Sequence, residues 1–368
     1  MEAEFEKKLK FGPRPLSLSE RLKKEELPLI LWGTGDVGAE VKHYLDGNGV
    51  SITAAWVDNI DQEEYFEEVP VYSLDTLKTM YGRFNVILGH SHYDYGRKIE
   101  ERESCVNKVF YLIDSAYSRY VSADPQFIQD HLDEYYDTYR LLDDDVSRES
   151  MIAYLNCKMN DEIGFILDCV KKEQNFFNND IFQVGPQEVY VDVGAYDGDT
   201  LDLFLEECGG SYRKIYALEP ENDNFSKLEK YVTENKLQNI VLEKQGTWKE
   251  KTTLFFDAKQ EQRSAIDVDR KEGTTINVDA LDHILQGEDV TLIKINFPDG
   301  AYETLQGSRD IFERCAPKLA VIVGNDEKAM IRLPQLVKEQ RPDYHIYFRF
   351  STCMPYRLYM YAVKENVC

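Results

Sequence analysis

Val189–Thr200 reads Val-Tyr-Val-Asp-Val-Gly-Ala-Tyr-Asp-Gly-Asp-Thr, and it restricts the fold of this chain more than any other stretch. Five residues of apolar, β-branched bias run into a glycine turn, and Leu201, Phe204 and Leu205 follow at helical spacing. A strand, a tight turn and a helix start present backbone N–H groups to a ligand. Asp192 ends the strand, and Gly194 and Gly198 let the turn approach that ligand closely. The next apolar run, from Lys214, ends at Glu219. That is about 20–25 residues further on, where a nucleotide ribose expects its acidic partner.

A chain of 368 residues exceeds a single typical core, so two domains and a connector are expected. With 43% apolar and 30% charged residues the composition is globular. No apolar run approaches the roughly 20 residues of a membrane span, and Met1–Lys10 has no signal-peptide core, which points to a cytoplasmic protein. Seven scattered cysteines without a Cys-x-x-Cys pair predict reduced thiols, with neither zinc site nor disulfide framework. The net charge of −24 disfavours nucleic acid and anionic lipid as partners. A small-molecule or glycan acceptor is the expected partner, and a homo-oligomer stays open.

In chain order, residues 1–26 read as an exposed lead-in helix. Residues 27–115 read as a small Rossmann-like α/β domain of parallel strands. It opens with a buried strand and a Gly-x-Gly-x-x-Gly turn at Gly33, Gly35 and Gly38, followed by a strand closed by Asp58. Val57-Asp58-Asn59 and Val69-Pro70-Val71 resemble segments of small Rossmann-like domains that precede transferase domains in bacterial glycan-biosynthesis proteins. His90, His92 and Asp94 have ligand-type side chains but no matching cluster elsewhere, and read as loop residues. Residues 116–186 are poor in Gly and Pro and rich in aromatics at helical spacing, a connector of two or three helices with Asp145 or Ser147 as an N-cap. Residues 187–368 form a second α/β domain. Its last two strands, Tyr344–Phe350 and Arg357–Val363, lack an intervening helix, which places one antiparallel strand in a seven-stranded sheet. The fold class is therefore α/β, with two Rossmann-like domains joined by a helical connector.

Residues from about 187 to 363 resemble the FkbM family of S-adenosylmethionine (SAM)-dependent methyltransferases. The resemblance is carried by Asp192–Thr200, Tyr216-Ala-Leu-Glu-Pro220, Gly246-Thr-Trp248, Val278-Asp279, Leu281-Asp282, Ile293-Lys294-Ile295, Glu303–Gly307 and Pro317–Ala320. It implies SAM as cofactor and methylation of hydroxyls on sugars or other small molecules. Carried over position by position, Asp192, Gly194 and Asp197 line the methionine part, with Ala195 and Thr200 in the same motif. Glu219, followed by Pro220, accepts from the ribose hydroxyls, and Gly246, Thr247 and Trp248 flank the adenine. No metal is implied.

The acceptor half departs from the family pattern. Where the family reads Lys-x-Asp-x-Glu-Gly-Ala-Glu, this chain has Lys294-Ile-Asn296-Phe-Pro298-Asp299-Gly300-Ala301, and where it often has Tyr-His, Gly324-Asn325 stands. Methyl transfer to a hydroxyl needs the oxygen positioned and usually a base, worth roughly 10²–10⁴-fold. Asparagine orients by hydrogen bonds but takes no proton at neutral pH. Asn296, Asp299 and Asn325 are the candidate acceptor-site residues, and Asp299 or His345 the candidate bases. Three readings follow: a methyltransferase acting on a sugar or glycan hydroxyl, a non-catalytic SAM-binding scaffold, and a nucleotide-dependent sugar-modifying enzyme working through Gly33–Gly38.

Overall fold

The computed structural model describes residues 2–12, 16–58, 65–113, 125–170, 174–177, 180–257, 265–266, 274–324 and 328–364. Asn59, Asn325 and the stretch around Arg263 and Ser264 lie outside them. In the N-terminal part the strands are β1 (Leu29–Trp32), β2 (Ala54–Trp56), β3 (Tyr65–Phe66), β4 (Val69–Tyr72), β5 (Phe84–Leu88) and β6 (Val106–Phe110). They lie in the order β3-β4-β2-β1-β5-β6. β1, β2 and β5 are buried throughout, as expected for strands covered on both faces. The expectation of a purely parallel domain is corrected at one edge, where β3 pairs antiparallel with β4. The hairpin turns through Glu67 and Glu68, both at positive φ. Asn-Gly or Asp-Gly is the usual signal for such a turn, so Glu-Glu conceals it.

Packing accounts for two of the three glycines at 33–38. A Cβ on Gly38 would meet the Gly33 carbonyl oxygen at 2.3 Å, and one on Gly33 would meet that of Gly89 at 2.8 Å. Nothing lies within 4 Å of the corresponding position on Gly35. The motif thus lets the helix Asp36–Gly47 sit close against β1 and the loop after β5. His90 in that loop lies edge-on to Trp32, and burial pushes its imidazole down to about 4.

The lead-in is packed, which corrects the expectation of an exposed helix. Helices Glu2–Lys8 and Leu18–Leu22 bury Phe5, Leu18 and Leu22, and Phe5 lies against the rings of Tyr136 and Tyr139. The connector holds four helices among the described residues: Pro125–Asp130, Leu132–Leu141, Asp145–Asn160 and Gly164–Cys169. The N-cap of the third is Asp144, whose carboxylate accepts from Ser147 N, rather than Asp145 or Ser147. Met151 to Met159 is buried without a break, so this helix is enclosed on all sides rather than amphipathic.

The C-terminal strands are β7 (Val189–Val193), β8 (Lys214–Leu218), β9 (Ile240–Glu243), β10 (Gly246–Thr247), β11 (Thr252–Asp257), β12 (Ala265–Ile266), β13 (Thr274–Asp279), β14 (Leu292–Ile295), β15 (Lys318–Ile322), β16 (His345–Phe350) and β17 (Leu358–Val363). Seven form one sheet in the order β16-β17-β15-β14-β7-β8-β9, with β17 antiparallel to both neighbours. This is the sheet expected from the two terminal strands. β10 to β13 form a second, four-stranded sheet that the sequence did not suggest. Two helices follow β14, Pro298–Gln306 and Arg309–Cys315. The chain breaks at Gly307, where a Cβ would meet the Trp248 carbonyl oxygen at 2.3 Å.

Gly38→Ala should therefore cost about 1–3 kcal/mol through overpacking, while Gly35→Ala should stay within about 0.5 kcal/mol of the parent. Urea unfolding of the two variants checks this, and equal stability would contradict the packing account.

Candidate ligand site at the carboxyl ends of the sheet

Sheet order reverses at β7, whose neighbours are β14 on one side and β8 on the other. Ligands of open α/β sheets bind in the crevice at such a point, beyond the carboxyl ends of the strands. Three residues follow directly on these ends: Gly194 after β7, Glu219 after β8 and Asn296 after β14. The register of β14 and β8 with β7 places all three in one row.

Beneath that row lies a buried ion pair. Lys294 and Asp192 are opposite each other in register, both side chains are 0% exposed, and Nζ donates to Oδ1 at 2.6 Å. Lys294 Nζ also donates to the Gly194 carbonyl at 3.1 Å and to Thr200 Oγ1 at 3.1 Å. Thr200 Oγ1 donates in turn to Asp192 Oδ2 at 2.7 Å. The Phe176 ring centroid lies 5.5 Å from Nζ. The pair thus ties the strand before the turn, the turn and the helix after it to the neighbouring strand. A buried charge pair is tolerated only with its remaining hydrogen-bonding groups satisfied, and here Lys294 has three oxygen partners.

Asp192 and Thr200, expected along the ligand, instead hold the turn from below. Ala195 is fully buried beside them, and Asp197 stands half-buried on the turn itself. Gly194 at φ +73 and Gly198 at φ +100 supply the left-handed backbone the turn requires, and a Cβ on Gly198 would collide with the Tyr231 ring at 2.7 Å.

Glu219 has a different setting. Its two carboxylate oxygens each accept one backbone N–H, from Tyr196 at 3.0 Å and Glu221 at 2.9 Å. Burial pushes its carboxyl up to about 7, against the lowering effect of those two N–H groups. Each oxygen retains acceptor capacity. Next to it a recess of about 150 Å³ is lined by Pro220, Glu221, Asn222, Lys244, Thr275, Ile276 and Asn277. Gly246 borders the same corner, since a Cβ there would lie 3.5 Å from Pro220 Cγ. Thr247 and Trp248 turn inward: Thr247 Oγ1 bonds Thr304 Oγ1 at 2.6 Å, and Trp248 packs with Ile276 and Val278.

On the β14 side Asn296 is half-buried, and its N–H donates to the Val193 carbonyl. Phe297, which sequence reasoning passed over, lies across the turn: a Cβ on Gly194 would stand 3.6 Å from Phe297 Cβ. Its ring folds onto Gly300, where any side chain would meet it at 2.4 Å. Asp299 belongs to the first turn of the helix Pro298–Gln306. His345 is removed as a candidate base. It begins β16 and pairs with Val363 at the end of β17, so it sits at the opposite edge of the sheet, a five-residue strand length or about 17 Å away. It bonds Asp143 there. Among the described residues no cluster of His, Cys, Asp and Glu could hold a metal, and no helix is long and apolar enough to cross a membrane.

Residues 192–340 match the family model of the methyltransferase FkbM domain. The structure resembles that of methyltransferase FkbM from Methylobacillus flagellatus KT, covering 95% of this chain and 94% of that one at 18% identity, with a TM-score of 0.68. At that identity the likeness is one of fold, and it extends over nearly the whole of both chains. An rRNA methylase from Streptococcus thermophilus matches over 50% of this chain and 89% of its own at 15% identity, with a TM-score of 0.33. A SAM-dependent methyltransferase from Aquifex aeolicus matches over 49% and 85% at 15% identity, with a TM-score of 0.30. No curated protein matches the sequence significantly.

Replacing Lys294 by Met leaves Asp192 buried without its counter-charge and should destabilise the protein by about 3–5 kcal/mol. Denaturant unfolding measures this, and a loss below about 1 kcal/mol would show that the pair does not hold the turn.

Proposed function

We propose that the chain transfers a methyl group from SAM to a hydroxyl of a sugar or glycan precursor. The observation that carries this reading is Glu219: a carboxylate at the sheet's switch point, pinned by two backbone N–H groups, with acceptor capacity left for a ribose diol. The donor set fits the cofactor. Gly194 keeps the turn free of side-chain bulk, Glu219 meets hydroxyls, and the recess beyond Pro220 suits a flat base. When bound, SAM supplies an electrophilic methyl group that needs no further activation.

The chain's own residues then have to bring the acceptor hydroxyl to that methyl group and receive its proton. Asn296, in one row with Gly194 and Glu219, orients the hydroxyl through its amide. Asp299, in the helix that starts beside it, takes the proton. Phe297, half-buried across the turn, keeps water from the reacting atoms. The second reading, cofactor binding without turnover, is favoured by one observation: the group that follows β14 in the row is an amide rather than an acid.

Two outcomes are expected. Labelled methyl from SAM should appear on a member of a panel of sugars and nucleotide sugars, and binding without any transfer would favour the scaffold. The affinity for S-adenosylhomocysteine should rise through about pH 7. The Glu219 carboxyl holds its proton up to there, and the ribose hydroxyls need the ionised form as acceptor. Below the transition the change approaches tenfold per pH unit. In Glu219→Gln the affinity should be lower and flat between pH 6 and 8.5, as calorimetric titration would show. In the ligand-free protein the sign is opposite. A raised carboxyl stabilises the fold at acid pH, and this contribution is lost as pH rises from about 4.3 through about 7.

A further inference from the structure

The β16–β17 hairpin carries two arginines with opposite surroundings. Arg349, opposite Tyr359 in register, pairs with Asp144 at 2.7 Å and with Asp180 at 2.8 Å. Arg357 is half-buried and meets no carboxylate among the described residues. Its side chain there meets tyrosines: Nη1 donates to Tyr359 Oη at 3.2 Å, and the guanidinium lies 5.5 Å from the Tyr356 ring centroid and interacts with its hydroxyl. A guanidinium has five N–H donors, and a cation withdrawn from water without a counter-charge is costly. Among the described residues no carboxylate balances this guanidinium, which leaves donors open for a further group.

Its place in the sheet says what. Tyr359 is level with Ile322 on β15, and one residue beyond the β14–β15 and β14–β7 registers Asn296 and Gly194 share that row. Arg357 ends the short 3₁₀ turn Pro355–Arg357 just beyond the strand ends, and its guanidinium reaches back to Tyr359. β17 stands two strands from β14, so Arg357 lies roughly 10 Å across the sheet from Asn296. The Tyr359 ring packs on Phe176 at 4.4 Å, and Phe176 faces Lys294. The loop that presents Arg357 is pressed onto the end of β15: a Cβ on Gly324 would meet the Pro355 carbonyl oxygen at 2.4 Å. Tyr154 of the connector donates to the Gly324 carbonyl at 3.2 Å from the other side. The arginine is therefore on a fixed support.

We infer that Arg357 anchors an anionic group, phosphate or carboxylate, carried by the methyl acceptor. The site rests on the geometry above, and its assignment to an acceptor rests on the methyl-transfer reading. A guanidinium grips either anion through two parallel N–H donors, which a lysine does not reproduce.

Thermal unfolding of the full chain tests this, with inorganic phosphate or acetate compared with chloride at matched ionic strength. At about 100 times its dissociation constant an anion should raise the wild-type midpoint by a few degrees. Arg357→Gln should lose that rise, and Arg357→Lys should keep a reduced one. The response to phosphate against acetate tells which anion the site prefers. Without anion, Arg357→Gln should melt no lower than the wild type, because no counter-charge is stranded. No stabilisation beyond chloride, an undiminished rise in Arg357→Gln, or a lower anion-free midpoint would each overturn the site. S-adenosylhomocysteine should stabilise all three proteins alike. An anion response with no S-adenosylhomocysteine response overturns the methyl-transfer reading and the assignment to an acceptor, while the anion site itself stands.

Discussion

The candidate site depends on the Lys294–Asp192 ion pair. It is fully buried, and its hydrogen bonds reach the turn at Gly194 and the helix at Thr200. It ties the left-handed backbone at Gly194, Tyr196 and Gly198 to β14, while the Gly194 and Ala195 N–H groups tie it to the Leu218 carbonyl of β8. Glu219 depends on that turn, since one of its two backbone donors is the Tyr196 N–H. A charge pair that is poor evidence for net stability is here the device that fixes a backbone conformation.

The crevice divides along β7. Toward β8 and β9 lie the pinned carboxylate and the recess beyond Pro220, a surface suited to a nucleoside. Toward β14, β15 and β17 lie Asn296, Phe297 and Arg357, an amide, a ring and a cation without a carboxylate partner among the described residues. The two sides differ in chemistry as the proposed methyl transfer requires: one suits a hydroxyl-bearing cofactor, the other an acceptor to be positioned. The connector supports the second side directly, through Tyr154 on Gly324 and through Asp144 on Arg349. The N-terminal sheet and lead-in bear on the site through packing, in one core that runs from Trp32 through Tyr154 to Val323.

Much of the fold was legible because its strands are covered on both faces and read as apolar runs; β7, β8, β14 and β15 are of this kind. The terminal pair β16 and β17 lacks a helix between its members, so the antiparallel strand was legible too. What escaped was set by tertiary contact. The β3–β4 hairpin uses Glu67 and Glu68 where glycine or asparagine would have signalled the turn. The four-stranded sheet joins β11 to β13 across a long polar stretch. Phe5 gains its burial only from Tyr136 and Tyr139. Within the site, Glu219 was readable from its place after an apolar strand. The inward orientation of Asp192 was signalled only by Lys294, a charge inside the apolar run Leu-Ile-Lys-Ile, and the setting of Arg357 by nothing, since which groups a charge meets is a three-dimensional fact.

A crystal structure of the full chain with S-adenosylhomocysteine tests the central claim most directly. The account predicts both ribose hydroxyls within hydrogen-bonding distance of the Glu219 carboxylate, the base beyond Pro220, and the Lys294–Asp192 pair unbroken beneath the turn. A nucleoside bound elsewhere, or one that draws Asp192 out of its pairing with Lys294, would contradict it.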